Sequence, residues 1–421
     1  MTRRIVIVGG GAAGTLVAIH LAHQADLQVE VSMVEPRPRL GEGVAYSTRD
    51  ESHLLNVPAI GMSAHPDDAD HFVRWAGCSD DSFVSRQRYA DYLRDELEQR
   101  LKENRKITLR HVRQPATAIS NSPASVDVGY ERIYGDAIVI ALGNAAPTRP
   151  DWLSTIDASR VVDDPWAHRA LDRVKDGSNV LCIGTGLTFV DVALSLTRRS
   201  CRVTATSRHG LLPQVHVPIY AVAEVESHRA ETAKPSERDV ASPLAVLRWI
   251  RAQHDWRSAL NVLRPDTQRI WRNFGEHDQR RFLRHARRHW DIHRHRMAPV
   301  VAESLQRSIA DGNVVVVCGD ARRLATSNDF DYVVLCTGPD DARAITQPPL
   351  DSLVARGLAR RGPHGMGIDT DPETGQLVSS AGTLVPDIYA VGSLRRGTLW
   401  ESTAVPEIRS EAHRLAAMLL V

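Results

Sequence analysis

The sequence predicts an α/β protein with two Rossmann-like dinucleotide-binding domains, the second inserted into the first, with a helical addition and a C-terminal return. Three observations carry this. An apolar run at the N-terminus breaks directly into a glycine-rich turn, a second such turn opens at Gly184, and two more apolar runs end in small-residue turns at Leu142-Gly143 and Cys336-Thr337-Gly338.

Ile5 to Val8 is continuous and β-branched, the pattern of a strand buried on both faces. Gly9 to Gly14 follow at once, and Leu16, Ile19 and Leu21 begin a helical pattern. Val29 to Val34 reads as the next strand, ending at Glu35, which completes a βαβ unit. Ala137 to Ala141 is a further buried strand. Val180 to Ile183, Gly184-Thr185-Gly186, Leu187 to Leu196 and Cys201 to Thr206 repeat the strand–turn–helix–strand order. Gln214 to Ser242 is polar and strand-poor, a loop or lid. Pro243 to about Asp311 reads as helical and arginine-rich, Tyr332 to Leu335 as a strand, and Val405 to Leu420 as the closing helix. The expected domains are 1–155 and 325–421 for the first, split, dinucleotide-binding domain and 156–324 for the second with its helical addition.

Composition narrows the function classes. The chain has 421 residues, 43% of them hydrophobic, enough for two or three packed domains and against wholesale disorder. Fifty-two basic residues against 51 acidic ones leave a net charge of +1, so no global field would hold nucleic acid. No apolar stretch approaches the ~18 residues of a membrane helix, and no signal-peptide pattern opens the chain. Five scattered cysteines with no close-spaced pair argue against a disulfide framework, a zinc site and thiol–disulfide chemistry. A cytoplasmic enzyme with a small-molecule substrate is the expectation, with no nucleic acid, membrane or metal and the oligomeric state open.

Gly9, Gly11 and Gly14 fit G-x-G-x-x-G: the first permits the tight turn, the second close backbone approach to a pyrophosphate, the third helix–strand packing. The helix N-terminus offers free N–H groups to phosphates, and Glu35 is placed to accept from a ribose diol. In the second turn Gly184, Thr185 and Gly186 are in place, while the third glycine position holds Phe189. Ser207 and Arg208 stand where an acidic residue would select NAD, which suits a 2′-phosphate and predicts NADPH over NADH. By analogy with two-domain flavoproteins the first site takes FAD and the second NAD(P)H. Pro386 to Ser393 looks like their late flavin-binding strand, with Gly392 in place and Ser393 where an acid is usual.

Several further stretches carry a resemblance: Gly41 to Thr48, His53 to Ala59, Gly184 to Asp191, Ser207 to Pro213, Arg280 to His285, Trp290 to Pro299 and Gly397 to Arg409. Together they resemble the bacterial FAD/NAD(P)-binding proteins grouped with FAD-dependent urate hydroxylase and the nitrosuccinate-forming aspartate monooxygenase. The resemblance implies that Gly41 to Pro58, with Gly43, lies along the flavin, with Tyr46 and Asn56 as ring neighbours. It also implies that Gly397 to Glu401, with Trp400, closes the isoalloxazine end. The activity implied is a flavin hydroperoxide monooxygenase using oxygen on a small polar or anionic, urate-like or amino-acid substrate. An NADPH-dependent reductase passing electrons to a protein or quinone, and a non-catalytic redox sensor, remain open.

Arg280 to Arg296 places Arg281, Arg284 and Arg288 on one helical stripe and His285, His289 and His293 at four-residue spacing. A solvated helix face accounts for this pattern, and so does a lining for an anionic substrate or the NADPH phosphate. On the second view Arg294 and Arg296 hold the substrate, with Asn56 and Glu401 as the other catalytic candidates. Ser402 or Thr403 either caps the last helix or stabilises charge on reduced flavin.

Overall fold

The computed structural model describes residues 2–217, 232–327, 329–340 and 343–421, so 218–231 of the expected lid lie outside the described residues. The chain forms two compact units: Met1–Glu51 with Pro58–Ala145 and Asp340–Val421, and Ser52–Val57 with Ala146–Pro339.

In the first unit β1 (Arg3–Val8) leads through helix α1 (Ala12–Gln24) to β2 (Val29–Val34). Helix α2 (Arg86–Glu103) precedes β3 (Ile107–Val112). A three-stranded antiparallel sheet follows, β4 (Ala116–Asn121), β5 (Ala124–Val128) and β6 (Glu131–Tyr134), and then β7 (Ala137–Ile140). Ile5 to Val8 are buried to 1% exposure or less, as their apolar run requires. Helix α1 is buried continuously from Gly14 to Ala22, so it is wrapped rather than laid on a surface.

The second unit holds β8 (Val161–Val162), β9 (Asn179–Ile183), helix α3 (Leu187–Thr197), β10 (Arg202–Ser207), helix α4 (Arg287–Arg294), β11 (Val314–Cys318) and β12 (Tyr332–Leu335). The chain then returns to the first unit with β13 (Gln376–Val378), β14 (Leu384–Ala390) and helix α5 (Val405–Leu419).

The first sheet runs β13-β14-β7-β1-β2-β3, parallel except for β13; the second runs β11-β10-β9-β12-β8 and is parallel throughout. In each, the strand that ends in glycines lies between one strand that follows it directly and another reached by crossover. That is the switch point where open α/β sheets bind ligands. This is the predicted fold class.

Two expectations are corrected. The sequence reading puts Tyr332–Leu335 in the C-terminal return beginning at 325. The strand instead pairs in parallel with β9 and β8, and its apolar face joins Leu181, Ile183 and Leu153 in the second unit's core. Arg280 to Arg296 is also not one regular helix. Glu276–Arg281 and α4 are joined by a π-helical turn at Phe282–Ala286, which breaks the 3.6-residue period and with it the continuous Arg281–Arg284–Arg288 stripe.

Candidate functional site

In the first unit, β1 turns at Gly9 with φ +106°, and a β-carbon there would lie 2.4 Å from the Ala141 carbonyl oxygen, so no other residue fits. A β-carbon on Gly14 would lie 1.9 Å from Gly9 O, which is how closely helix packs on turn. Gly11 and Gly43 face each other: a β-carbon on either would meet the other's Cα at 3.1–3.2 Å. Two backbones therefore line a narrow cradle with no side chain between them. Helix α1 begins at this point with Gly11 as N-cap, no capping side chain and no acid in its first turn, so its N–H groups and positive dipole end face the cradle.

Glu35 is 4% exposed and fixed beside the turn, accepting the Gly10 N–H at 2.9 Å and the Arg37 N–H at 3.0 Å. A carboxylate has about four acceptor sites, so capacity for a diol remains. Tyr46 packs edge-on against Tyr89 at 5.0 Å, and burial pushes its phenol up to about 12, so it stays protonated at neutral pH.

The C-terminal return closes the same cradle. Gly392, φ +78°, comes so near α1 that its β-carbon would touch Ala13 Cβ at 3.4 Å. Glu411 accepts the Gly392 N–H at 3.2 Å and pairs with Arg395. Arg395 is 1% exposed and donates to the Asp371 and Pro372 carbonyls at 2.8 and 2.9 Å, and its burial lowers its pKa to about 10. The hydroxyls of Ser393 and Ser402 are buried without a hydrogen-bond partner, which is costly unless a ligand supplies one. Ser402 does not cap α5, whose N-cap is Ala404 with no side-chain bond. Trp400 and Glu401 are buried nearby in sequence, with the Arg396 guanidinium 5.1 Å over the Trp400 ring.

The second turn repeats the first. Gly184 has φ +109° and its β-carbon would lie 2.3 Å from Cys336 O; Gly186 is the uncapped N-cap of α3; Phe189 is fully buried. Thr185 Oγ1 donates to Leu211 O at 2.6 Å and lies 2.9 Å from Ser207 Oγ, which accepts the Gly210 N–H. Arg288 reaches over the turn, donating to Thr185 Oγ1 at 3.1 Å and Leu211 O at 2.7 Å, with its other terminal nitrogen 3.9 Å from where a Gly186 β-carbon would be. The sequence reading placed Arg288 only on a stripe; its position over the second glycine turn was not legible. Arg208 is exposed at the end of β10.

A third cluster lies in the second unit. The Met297 N–H donates to the Gln214 carbonyl at 2.8 Å and the His216 N–H to the Met297 carbonyl at 2.9 Å, which holds Met297 against 214–216. His216 Nε2 donates to the Asn56 carbonyl at 3.0 Å. Burial, then the charges of Arg296, Arg294 and Arg257, depress His216 to about 3, so it is neutral at pH 7. Arg296 is 9% exposed, and burial followed by Arg294 and Arg257 lowers it to about 10. Trp256 offers its face to Arg257 at 4.3 Å and Arg296 at 5.8 Å. Asp255, 3.9 Å from Arg257, acts on Arg296 against the arginines. Three guanidiniums, those of Arg257, Arg294 and Arg296, thus gather near Trp256 and Asp255.

Of the predicted site residues, Gly9, Gly11, Gly14, Glu35, Gly43, Gly392 and Ser393 come together in the first unit, with Tyr46, Trp400 and Glu401 in that unit too. Gly184, Thr185, Gly186 and Ser207 adjoin in the second, where Asn56, Arg294 and Arg296 also fall. The two expected ring neighbours, Tyr46 and Asn56, therefore belong to different units. His216, Arg257, Trp256 and Arg288 were not singled out as site residues, since nothing in spacing ties Gln214–His216 to Met297.

Residues 6–145 match the FAD-NAD(P)-binding family model. No curated protein matches the sequence. Among solved structures, the reduced form of ornithine hydroxylase from Pseudomonas aeruginosa is similar at 14% identity and TM-score 0.62, covering 100% of this chain and 99% of its own. Ornithine N-hydroxylase from Kutzneria sp. 744, solved with reduced FAD, NADP+ and L-ornithine, is similar at 15% identity and TM-score 0.59, over 100% and 99%. The bacillithiol disulfide reductase of Bacillus cereus is similar at 12% identity and TM-score 0.55, over 100% and 99%. These likenesses establish the fold. Among the described residues no helix is long and apolar enough to cross a membrane.

Proposed function

We propose that the chain is an FAD-dependent, NADPH-consuming oxidoreductase, and specifically a monooxygenase acting on a small anionic substrate. The observation that carries the substrate class is the gathering of the Arg257 and Arg294 charges about buried Arg296. The Gly11–Gly43 cradle and the orphan hydroxyls of Ser393 and Ser402 fit FAD, with α1 receiving the pyrophosphate and Glu35 the ribose diol. Bound there, FAD supplies hydride acceptance from NADPH and the activation of oxygen.

The chain's own residues bind and orient. Arg288 and the α3 N-terminus hold the NADPH pyrophosphate, and exposed Arg208 takes the 2′-phosphate. Arg294 and Arg296 hold the substrate's negative charge, with His216 kept neutral as a donor fixed on Asn56. The resemblance to the urate-hydroxylating and aspartate-oxidising group supports the same substrate class. Disulfide reduction, the chemistry in the name of the bacillithiol relative, has no paired cysteines to run on here. No C-x-x-C exists, and Cys336 is buried beside Cys182 with its thiol pushed well above the usual range.

The test is substrate-dependent oxygen uptake and NADPH oxidation by the FAD-loaded protein against urate-like purines and acidic amino acids, with mass analysis of the product. A product that gains one oxygen supports the proposal. NADPH consumption with electrons passing only to a quinone or protein assigns a reductase instead, and bound FAD with no turnover assigns a sensor. Arg294→Ala and Arg296→Ala should raise KM or lower kcat/KM at unchanged FAD content.

A further inference from the structure

Behind the flavin cradle, the first unit gathers histidines from distant parts of the chain. His20 and His23 lie on α1, His65 and His71 lie between Pro58 and α2, and His413 lies on α5. Ring centres are 5.0 Å apart for His20–His413, 5.7 Å for His23–His65, 4.7 Å for His65–His71 and 6.0 Å for His20–His65. Glu96 on α2, 2% exposed, completes the group. Its Oε1 lies 2.7 Å from His65 Nε2 and 2.6 Å from Arg100 Nε, and its Oε2 lies 3.5 Å from His71 Nε2. The histidines border an open pocket of about 190 Å³. His20, fully buried, lies on its wall.

One ligand atom each from His65, His71 and Glu96 lie within 4.8 Å of one another. Tetrahedral bonds of about 2.0 Å would set such atoms about 3.3 Å apart, so small side-chain movements suffice. The orienting partner is already present. Tyr92 Oη lies 2.8 Å from His71 Nδ1 and accepts the Ala64 N–H at 2.9 Å. Metal binding would select the tautomer in which Nδ1–H donates to Tyr92 and Nε2 presents its lone pair to the pocket, the arrangement that metal-binding histidines show.

We propose that His65, His71 and Glu96 bind a divalent transition-metal ion of the zinc class, water filling the fourth position in the pocket that His20 lines. His20 lies nine residues beyond Gly11, roughly 13 Å along the helix, so the ion braces α2 and the His65–His71 segment rather than touching cofactor. Arg100 shares Glu96 and opposes the ion by its charge, which limits affinity.

The test is calorimetric titration of the chelator-treated, FAD-loaded full chain with zinc chloride at neutral pH. One ion per chain should bind with Kd below about 10 µM and raise the thermal midpoint. His71→Ala and Glu96→Gln should each weaken binding more than tenfold, and Tyr92→Phe about tenfold. Arg100→Gln should tighten it several-fold, a gain that a purely structural hydrogen-bonded cluster would not show. Replacing His285, His289 and His293 together by Gln should leave the stoichiometry at one. The proposal is overturned by no saturable binding at about 100 µM zinc, or by binding lost in that triple variant and retained in His71→Ala. If His71→Ala does not fold, Tyr92→Phe and Arg100→Gln decide: affinities equal to wild type in both overturn it.

Discussion

Arg296→Met should stabilise the protein while removing its response to anions. The guanidinium's pKa falls from 12.5 to about 10, and each unit corresponds to about 1.4 kcal/mol, so holding it charged in place costs about 3 kcal/mol. Against that, its contact with Trp256 at 5.8 Å contributes about 0.5–1 kcal/mol. Its bond to Asn261 Oδ1, at 3.5 Å, is at the limit of hydrogen bonding. Methionine fills the space of the arginine stem with a flexible apolar chain, so little packing is lost. The balance favours the variant by about 2–2.5 kcal/mol. Urea unfolding followed by circular dichroism, with FAD content matched, measures this directly. The same experiment repeated with urate or a dicarboxylate should raise the midpoint of the wild type and leave Arg296→Met unmoved. A variant less stable than wild type by more than about 1 kcal/mol would show the guanidinium to be a structural brace, and the proposed substrate class would lose its main support.

Gly11→Val should empty the flavin site, because its side chain would fill the cradle against Gly43; retained yellow colour and FAD stoichiometry would refute the cradle. Arg208→Ala should cut the NADPH/NADH preference by about ten- to a hundredfold, whereas Arg288→Leu should raise KM for both coenzymes alike; the ratio of the two KM values separates these roles. Acid should destabilise the protein through His216. Unfolded chains protonate this side chain near 6.5 and the folded one only near 3, so stability falls as pH drops through that window, by up to about 1.4 kcal/mol per unit. His216→Asn should flatten the slope of thermal midpoint against pH between 6 and 4; an unchanged slope would refute the assignment.

The strand–glycine–helix units were legible because each is local: Ile5 to Gly14 and Val180 to Leu196 declare their structure within some fifteen residues. Strand partners were less legible. Tyr332–Leu335 reads as a buried strand in either unit, and only pairing with β9 decides which. The arginine-rich helices misled because a single π-turn at Phe282–Ala286 resets every later side chain's direction, and no propensity announces it. The arginine cluster was half legible: Arg294 and Arg296 stand out as a basic pair, but His216 is brought to them only through the backbone bonds that Met297 makes with Gln214 and His216. The histidine cluster was invisible for the same reason, its members being spread from His20 to His413.

The near-identical backbone of the two glycine turns separates two duties that a motif merges. At Gly9 and Gly184 the next strand's carbonyl occupies the space of a β-carbon, at 2.4 and 2.3 Å, so the fold itself demands glycine whether or not a nucleotide binds. At Gly186 a β-carbon would meet nothing closer than the Arg288 guanidinium at 3.9 Å, so the fold makes no such demand. An evolving lineage could therefore silence its second coenzyme site through Gly186 alone and keep the domain intact. In descendants of such an ancestor, the residue at 186 rather than at 184 would record whether that site is still in use.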